Sequence, residues 1–168
     1  FIRPAGLDVT AGDIILAAGT VMSARLIALA TSAGHTHVSL WSRPHVGVLS
    51  TGDELVIPGE TPGRGQIISS NATYLSAFVR ACGGVAVNLG IARDRPGAML
   101  EQVRSAPLPL DLIVTTGGAS VGVHDHVVDD LSSSGTELGF WKIAMRPGKP
   151  LIHGCLLYTS DAADDDTR

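Results

Sequence analysis

Aromatic residues are scarce in this chain, at 4% of 168 residues, and charged residues supply only 17%. With 12 basic against 16 acidic residues the net charge is -4, and there is neither a basic stripe nor an aromatic platform, which excludes non-specific nucleic-acid binding. Long apolar runs are missing too. The stretch 14–18 is too short to span a bilayer, and no charged leader with a cleavage site opens the sequence, so no membrane role is expected. The two cysteines, Cys82 and Cys155, stand far apart without metal-ligand spacing and read as reduced thiols of a cytoplasmic protein. Two familiar phosphate signatures are also absent. Val123 and His124 follow Gly122 where a P-loop needs lysine, and no Gly-x-Gly-x-x-Gly occurs.

What remains is 45% hydrophobic with 20 glycines and nine prolines, a composition suited to one packed core with many turns. Residues 1–44 combine short apolar runs, such as 13–16 and 38–41, with a helical spacing of Leu26, Ile27, Leu29 and Ala30 behind a possible Ser23 cap. They predict a small mixed α/β lobe. From His45 the pattern alternates: strand 46–50, helix from Ser70 or Asn71 to Gly83, strand 85–91, helix 96–105, strand 112–115 and helix 125–134. Strands at 138–144 and 151–153 are expected to complete the sheet. The predicted fold is therefore α/β with three layers, a mostly parallel sheet with helices on both faces, binding ligands at the carboxyl ends of its strands. Residues 155–168 lack apolar periodicity and end in a block of acid, so they read as a disordered, non-native tail, and the start at Phe1 suggests a fragment.

Three segments carry chemistry. In residues 111–125 a strand runs through Thr115 and Thr116 into Gly117, Gly118 and Gly122, where missing Cβ atoms and a helix start would expose amides to an anion. A tight turn that binds nothing is the other reading. Ser50-Thr-Gly-Asp-Glu54 follows the first strand, and Asp53 and Glu54 suit a hard cation such as magnesium, although an acidic helix-capping turn has the same look. Asp94 recurs after the strand at 85–91, where it also suits a helix cap. In the segment from Trp141 to Pro150, Lys142, Arg146 and Lys149 flank a stiff Pro147-Gly148 turn that would aim several cations at one oxyanion, against the ordinary fate of solvated surface charge. His124 and His126 flank Asp125 and admit either zinc or nickel ligation or a plain loop.

Ser50-Thr-Gly-Asp-Glu54, Gly117-Gly-Ala-Ser-Val-Gly122 with Asp125, and Arg146-Pro-Gly-Lys-Pro150 resemble the signature segments of the molybdopterin molybdenumtransferase family, the MoeA type that includes the E domain of gephyrin. Residues 66–71, Asn88 to Ile91 with Asp94, Phe140-Trp-Lys142 and the Arg3-x-x-Gly-x-Asp8-x-x-x-Gly12 pattern resemble it in the same order, so the likeness spans about residues 1–154. The resemblance implies insertion of molybdenum from molybdate into adenylylated molybdopterin, with release of AMP. It implies catalytic roles for Glu54, Asp94, Asp125 and Lys142, and a magnesium site at Glu54, Asp94 and Asp125. Substrate binding would fall to Thr51, Gly52, Asp53, Thr116, Gly117, Gly118, Ser120, Gly122, Arg146, Pro147, Gly148 and Lys149. It also implies a homodimer in the full-length parent and a molybdopterin adenylyltransferase as the partner that supplies substrate.

Arg146 stands where many members have lysine, and Ala119 where valine is usual. The family pattern stops after Gly154, ahead of a Leu-Pro-Gly-Asn-Pro loop and a further β domain, so the fragment alone is expected to be inactive or nearly so. Two rivals remain at this stage: a molybdopterin adenylyltransferase on the same fold, and a non-catalytic molybdopterin-binding scaffold module.

Overall fold

The computed structural model describes residues 2–117, 126–141, 143–145 and 151–155, in two compact units, Phe1–Ser42 and Arg43–Arg168. In the first unit α1 (Ala24–Ser32) starts at Ser23, whose hydroxyl accepts the Leu26 amide at 3.4 Å, and ends before Gly34 at φ 89°. The strands expected in this lobe are not formed among its described residues. Gly12 and Gly19, both at positive φ, bracket the run at 13–16, and Ile14, Leu40 and Trp41 stay exposed with no neighbouring strand among the described residues of this unit.

The second unit is built on β1 (His45–Thr51), flanked in parallel by β4 (Val85–Ala92) and β5 (Leu112–Thr116). Side chains of β1 alternate between two faces. Val46 and Val48 pack on one side with Ala72 and Val79 of α2 (Asn71–Ala81). On the other, Leu49 joins Leu89, Ala98 and Met99 of α3 (Ala98–Arg104) and Val127 of α4 (Val127–Ser133). Helices thus cover both faces of a parallel sheet, which is the three-layer arrangement expected. Gly47 is required within β1, since a Cβ there would come within 2.8 Å of the Leu89 and Leu110 side chains.

The register explains the Asn88-Leu-Gly-Ile segment. Val48 opposes Asn88, but Ser50 opposes Ile91, so β4 carries one extra residue; Gly90, at φ 79°, sits in this bulge with its amide bonded to Asn88 Oδ1 at 2.9 Å. The shift places Thr51 opposite Ala92, while Ser50 lies opposite Thr116, so three strands end together.

Two short parallel strands, β2 (Leu55–Val56) and β3 (Ile67–Ile68), follow the β1 turn. The last two strands do not complete the sheet as expected. Among the described residues β6 (Glu137–Trp141) and β7 (Ile152–Cys155) form a separate two-stranded sheet, and they pair antiparallel because the segment joining them is too short for the crossover that a parallel pair needs. Phe140 stacks on His153 across this pair, with ring centres 5.4 Å apart. No helix among the described residues is long and apolar enough to cross a membrane.

Candidate functional site

The common end of β1, β4 and β5 gathers most of the described candidate residues. Beyond Thr51 the chain turns at Gly52 (φ 142°), whose amide bonds to the Ala92 carbonyl at 3.1 Å, tying the β1 turn to the end of β4. Asp53 and Asp94 then hold each other reciprocally. The Asp53 amide donates to Asp94 Oδ2 at 3.2 Å, and the Asp94 amide donates to Asp53 Oδ1 at 3.3 Å. Arg93 adds two more ties through Nη1, to the carbonyls of Asp53 at 3.1 Å and Leu55 at 3.4 Å. The Glu54 carboxylate folds back over Gly52, where a Cβ would lie 2.5 Å from its Oε2; that flexible tip could swing aside, so it is the φ of 142° that calls for glycine at 52. Neither Asp53, Glu54 nor Asp94 has an ion-pair partner among the described residues.

On the β5 side, Asn71 at the start of α2 donates through Nδ2 to Thr116 Oγ1 at 3.0 Å, and beneath it the Ser50 and Ser69 hydroxyls meet at 2.9 Å. Gly117 follows at φ 92° against Thr51. The Thr51 hydroxyl is buried without a hydrogen-bond partner among the described residues, an uncommon state for such a group. Thr51 as a residue borders a water-sized recess of about 20 Å³, lined also by Asp94, Arg95, Met99, His126 and Asp130. Asp130, itself buried, accepts the Gly97 amide at 2.7 Å and so joins α4 to the start of α3. Arg95 forms a bidentate pair with Glu101, whose hydrogen bonds and charge push the arginine further up and hold the glutamate below its ordinary range.

Thr51, Gly52, Asp53, Glu54, Asp94, Thr116 and Gly117 are thus brought to adjacent turns of one sheet end. Gly118, Ser120, Gly122, Asp125, Lys142, Arg146, Pro147, Gly148 and Lys149 lie outside the described residues, as does His124. The set Glu54, Asp94 and Asp125 therefore has its third member outside them, and among the described residues no group of three acidic, histidine or cysteine side chains is poised to hold a metal. The donors that are described still suit magnesium, which takes hard oxygens and needs only one or two carboxylates when waters and substrate phosphate fill the rest of its shell.

Arg93, Asn71 and Asp130 were not marked as site residues by the sequence pattern. Arg93 sits in Arg-Asp-Arg and looks like solvated charge, Asn71 looks like a helix opener, and Asp130 looks like a surface acid of α4. Only the neighbouring Asp94 was a usable signal for the first.

Residues 47–167 match the family model described as the probable molybdopterin binding domain. The chain is 36% identical over 151 residues to the molybdopterin molybdenumtransferase of Nostoc sp., covering 90% of this chain and 35% of that protein. It is 36% identical over 155 residues to the protein of the same name from Haemophilus influenzae, covering 92% of this chain and 38% of that protein. Among solved structures, a molybdopterin biosynthesis MoeA protein from Pyrococcus horikoshii superposes with a TM-score of 0.75 at 30% identity, over 90% of this chain and 37% of that one. The chain thus spans little more than a third of the length of the curated relatives it matches.

Proposed function

The chain belongs to the molybdopterin-binding domain family, and from that premise we propose that it is part of a molybdopterin molybdenumtransferase, which inserts molybdenum from molybdate into adenylylated molybdopterin and releases AMP. The observation that carries this reading is the pair of interlocked turns at the sheet end. They present Asp53, Glu54 and Asp94, none ion-paired among the described residues, beside Thr51 and the Thr116–Gly117 step.

Breaking the phosphoanhydride of the substrate places charge on phosphate oxygens, and such a reaction depends on positioning and electrostatics rather than on a covalent nucleophile. In this reading the substrate phosphates lie over the strand ends at Thr51 and Gly117. Glu54 and Asp94, with Asp125, would hold magnesium, which when bound supplies charge neutralisation at those oxygens. Asp53 orients Asp94 by accepting its amide. Lys142, Arg146 and Lys149 are the cations proposed to hold molybdate or the phosphates, with Gly118, Ser120, Gly122, Pro147 and Gly148 shaping the two loops. A homodimeric full-length parent, substrate supply by a molybdopterin adenylyltransferase and a cytoplasmic setting complete the proposal; the two unpaired, exposed cysteines agree with a reducing compartment.

The test is AMP release by the full-length parent given adenylylated molybdopterin, molybdate and magnesium. Release is expected from the wild type and is expected to fall by about 100-fold in Glu54→Ala and Asp94→Ala while the circular dichroism spectrum is kept. Binding of both substrates without AMP release would instead make the domain a scaffold. Formation of adenylylated product from molybdopterin and ATP would make it an adenylyltransferase.

A further inference from the structure

Arg93 lies where its charge has obvious uses, with Asp53, Glu54 and Asp94 on the two turns that it joins. Among the described residues, however, it forms no ion pair, and its Nη1 donates to the main-chain carbonyls of Asp53 and Leu55 at 3.1 and 3.4 Å. The turn it grips has little to hold it from within. Its own closing bond, from the Leu55 amide to the Gly52 carbonyl, is long at 3.4 Å, and Gly52 sits at a positive φ that gives the chain wide freedom.

The remaining restraints come from outside the turn. Gly52 bonds to Ala92, Asp53 and Asp94 exchange amide and carboxylate, and the Ile67 amide caps the Glu54 carbonyl at 2.8 Å. Arg93 is the only one of these partners that grips carbonyls on both sides of Glu54. It leaves the carboxylates unneutralised while fixing the backbone that carries one of them. A guanidinium suits this task because it stays charged and its donors are pre-oriented.

We propose that Arg93 is a positioning residue that clamps the Glu54 turn onto the Asp94 loop, fixing the spacing of the two carboxylates without touching substrate or metal. The catalytic part of this proposal rests on the transferase reading above; the clamp itself does not.

Amide hydrogen exchange on the intact chain tests the clamp directly. In Arg93→Met, exchange at Asp53, Leu55 and Asp94 is expected to quicken by about tenfold, as when a charge-assisted hydrogen bond is lost, while Val48 and Leu49 in the core of β1 keep their protection. Arg93→Lys keeps a cation able to reach one carbonyl and should fall between, and it carries the test if the methionine variant does not fold. Unchanged exchange at Asp53 and Asp94, or an equal loss of protection throughout β1, overturns the clamp.

In the full-length parent, kcat for AMP release should fall by about tenfold in Arg93→Met with KM for adenylylated molybdopterin nearly unchanged, and Arg93→Lys should recover part of it. A fall in KM-controlled binding alone would make Arg93 a substrate contact and overturn its positioning role. A wild-type parent that releases no AMP overturns the transferase reading, and the exchange pattern then decides the clamp by itself.

Discussion

Gly117 lies so close to Thr51 that a Cβ at 117 would overlap the Thr51 carbonyl oxygen and stand 2.8 Å from its hydroxyl. The end of β5 and the end of β1 are in contact here only because residue 117 has no side chain. Its φ of 92° adds a second demand for glycine. Gly117→Ala therefore meets backbone strain and a backbone clash together, and neither neighbour is a flexible side-chain tip. The expected loss of stability is about 3 kcal/mol, read from urea unfolding. A loss below about 1 kcal/mol would mean that the two strand ends separate easily, contrary to the contact described.

Asp130 poses a different problem, because it is a buried carboxylate that accepts a single hydrogen bond among the described residues. Its Oδ1 takes the amide of Gly97, the residue that opens α3 at φ 79°. Asp130→Ala strands that amide in a partly buried place and should cost about 2 kcal/mol. Asp130→Asn keeps a carbonyl oxygen for the same bond, so it should cost clearly less. Equal losses in the two variants would show that charge, rather than the Gly97 bond, makes Asp130 matter.

The sheet core was legible because its residues repeat at the right intervals. Val46 and Val48 alternate with Gly47 and Leu49, and Leu75, Phe78, Val79 and Cys82 recur at helical spacing, so β1 and α2 stood out, although of those four only Leu75 and Val79 pack on the sheet while Phe78 and Cys82 are exposed. β2 and β3 are two residues each and too short to show any period. β6 and β7 carried strand composition but no sign that they would pair with each other rather than join the sheet, although the short segment between them suits an antiparallel pair. At the site, Glu54 and Asp94 were legible through their motifs. Arg93 was not, because its partners are main-chain carbonyls, which leave no mark in a sequence.

Glu101 provides a pH-dependent prediction. Its bidentate bond to Arg95 holds its carboxyl below the ordinary 4.5, so the unfolded state binds the proton more readily than the folded one. Any stability from this pair is fully present above the unfolded value and is lost as pH falls through the lower folded value. Both side chains are more than half exposed, which makes the contribution small and salt-sensitive. Glu101→Gln should therefore be slightly less stable than wild type near pH 7, with the gap closing in strong acid and narrowing in high salt. Thermal melts across pH and ionic strength read both trends, and a gap that widens toward acid would contradict the pairing.

The carboxylates of Asp53, Glu54 and Asp94 share two interlocked turns and have no ion-pair partner among the described residues, so the proposed cation site predicts a like-charge cost to the fold that a bound cation would relieve. Two opposite effects should then follow from Glu54→Gln. Without divalent cation the variant loses a like charge and should be more stable than wild type, by about 0.3 kcal/mol at low salt for groups this exposed. With magnesium the order should reverse, because binding to the folded state alone stabilises by about 1.4 kcal/mol when the free ion is at ten times its dissociation constant, and the variant loses most of that gain. Thermal melts of both proteins across a magnesium titration would show the two curves crossing. Parallel curves, with the same gain in each, would remove Glu54 from the cation site and leave the neighbouring aspartates to account for any binding.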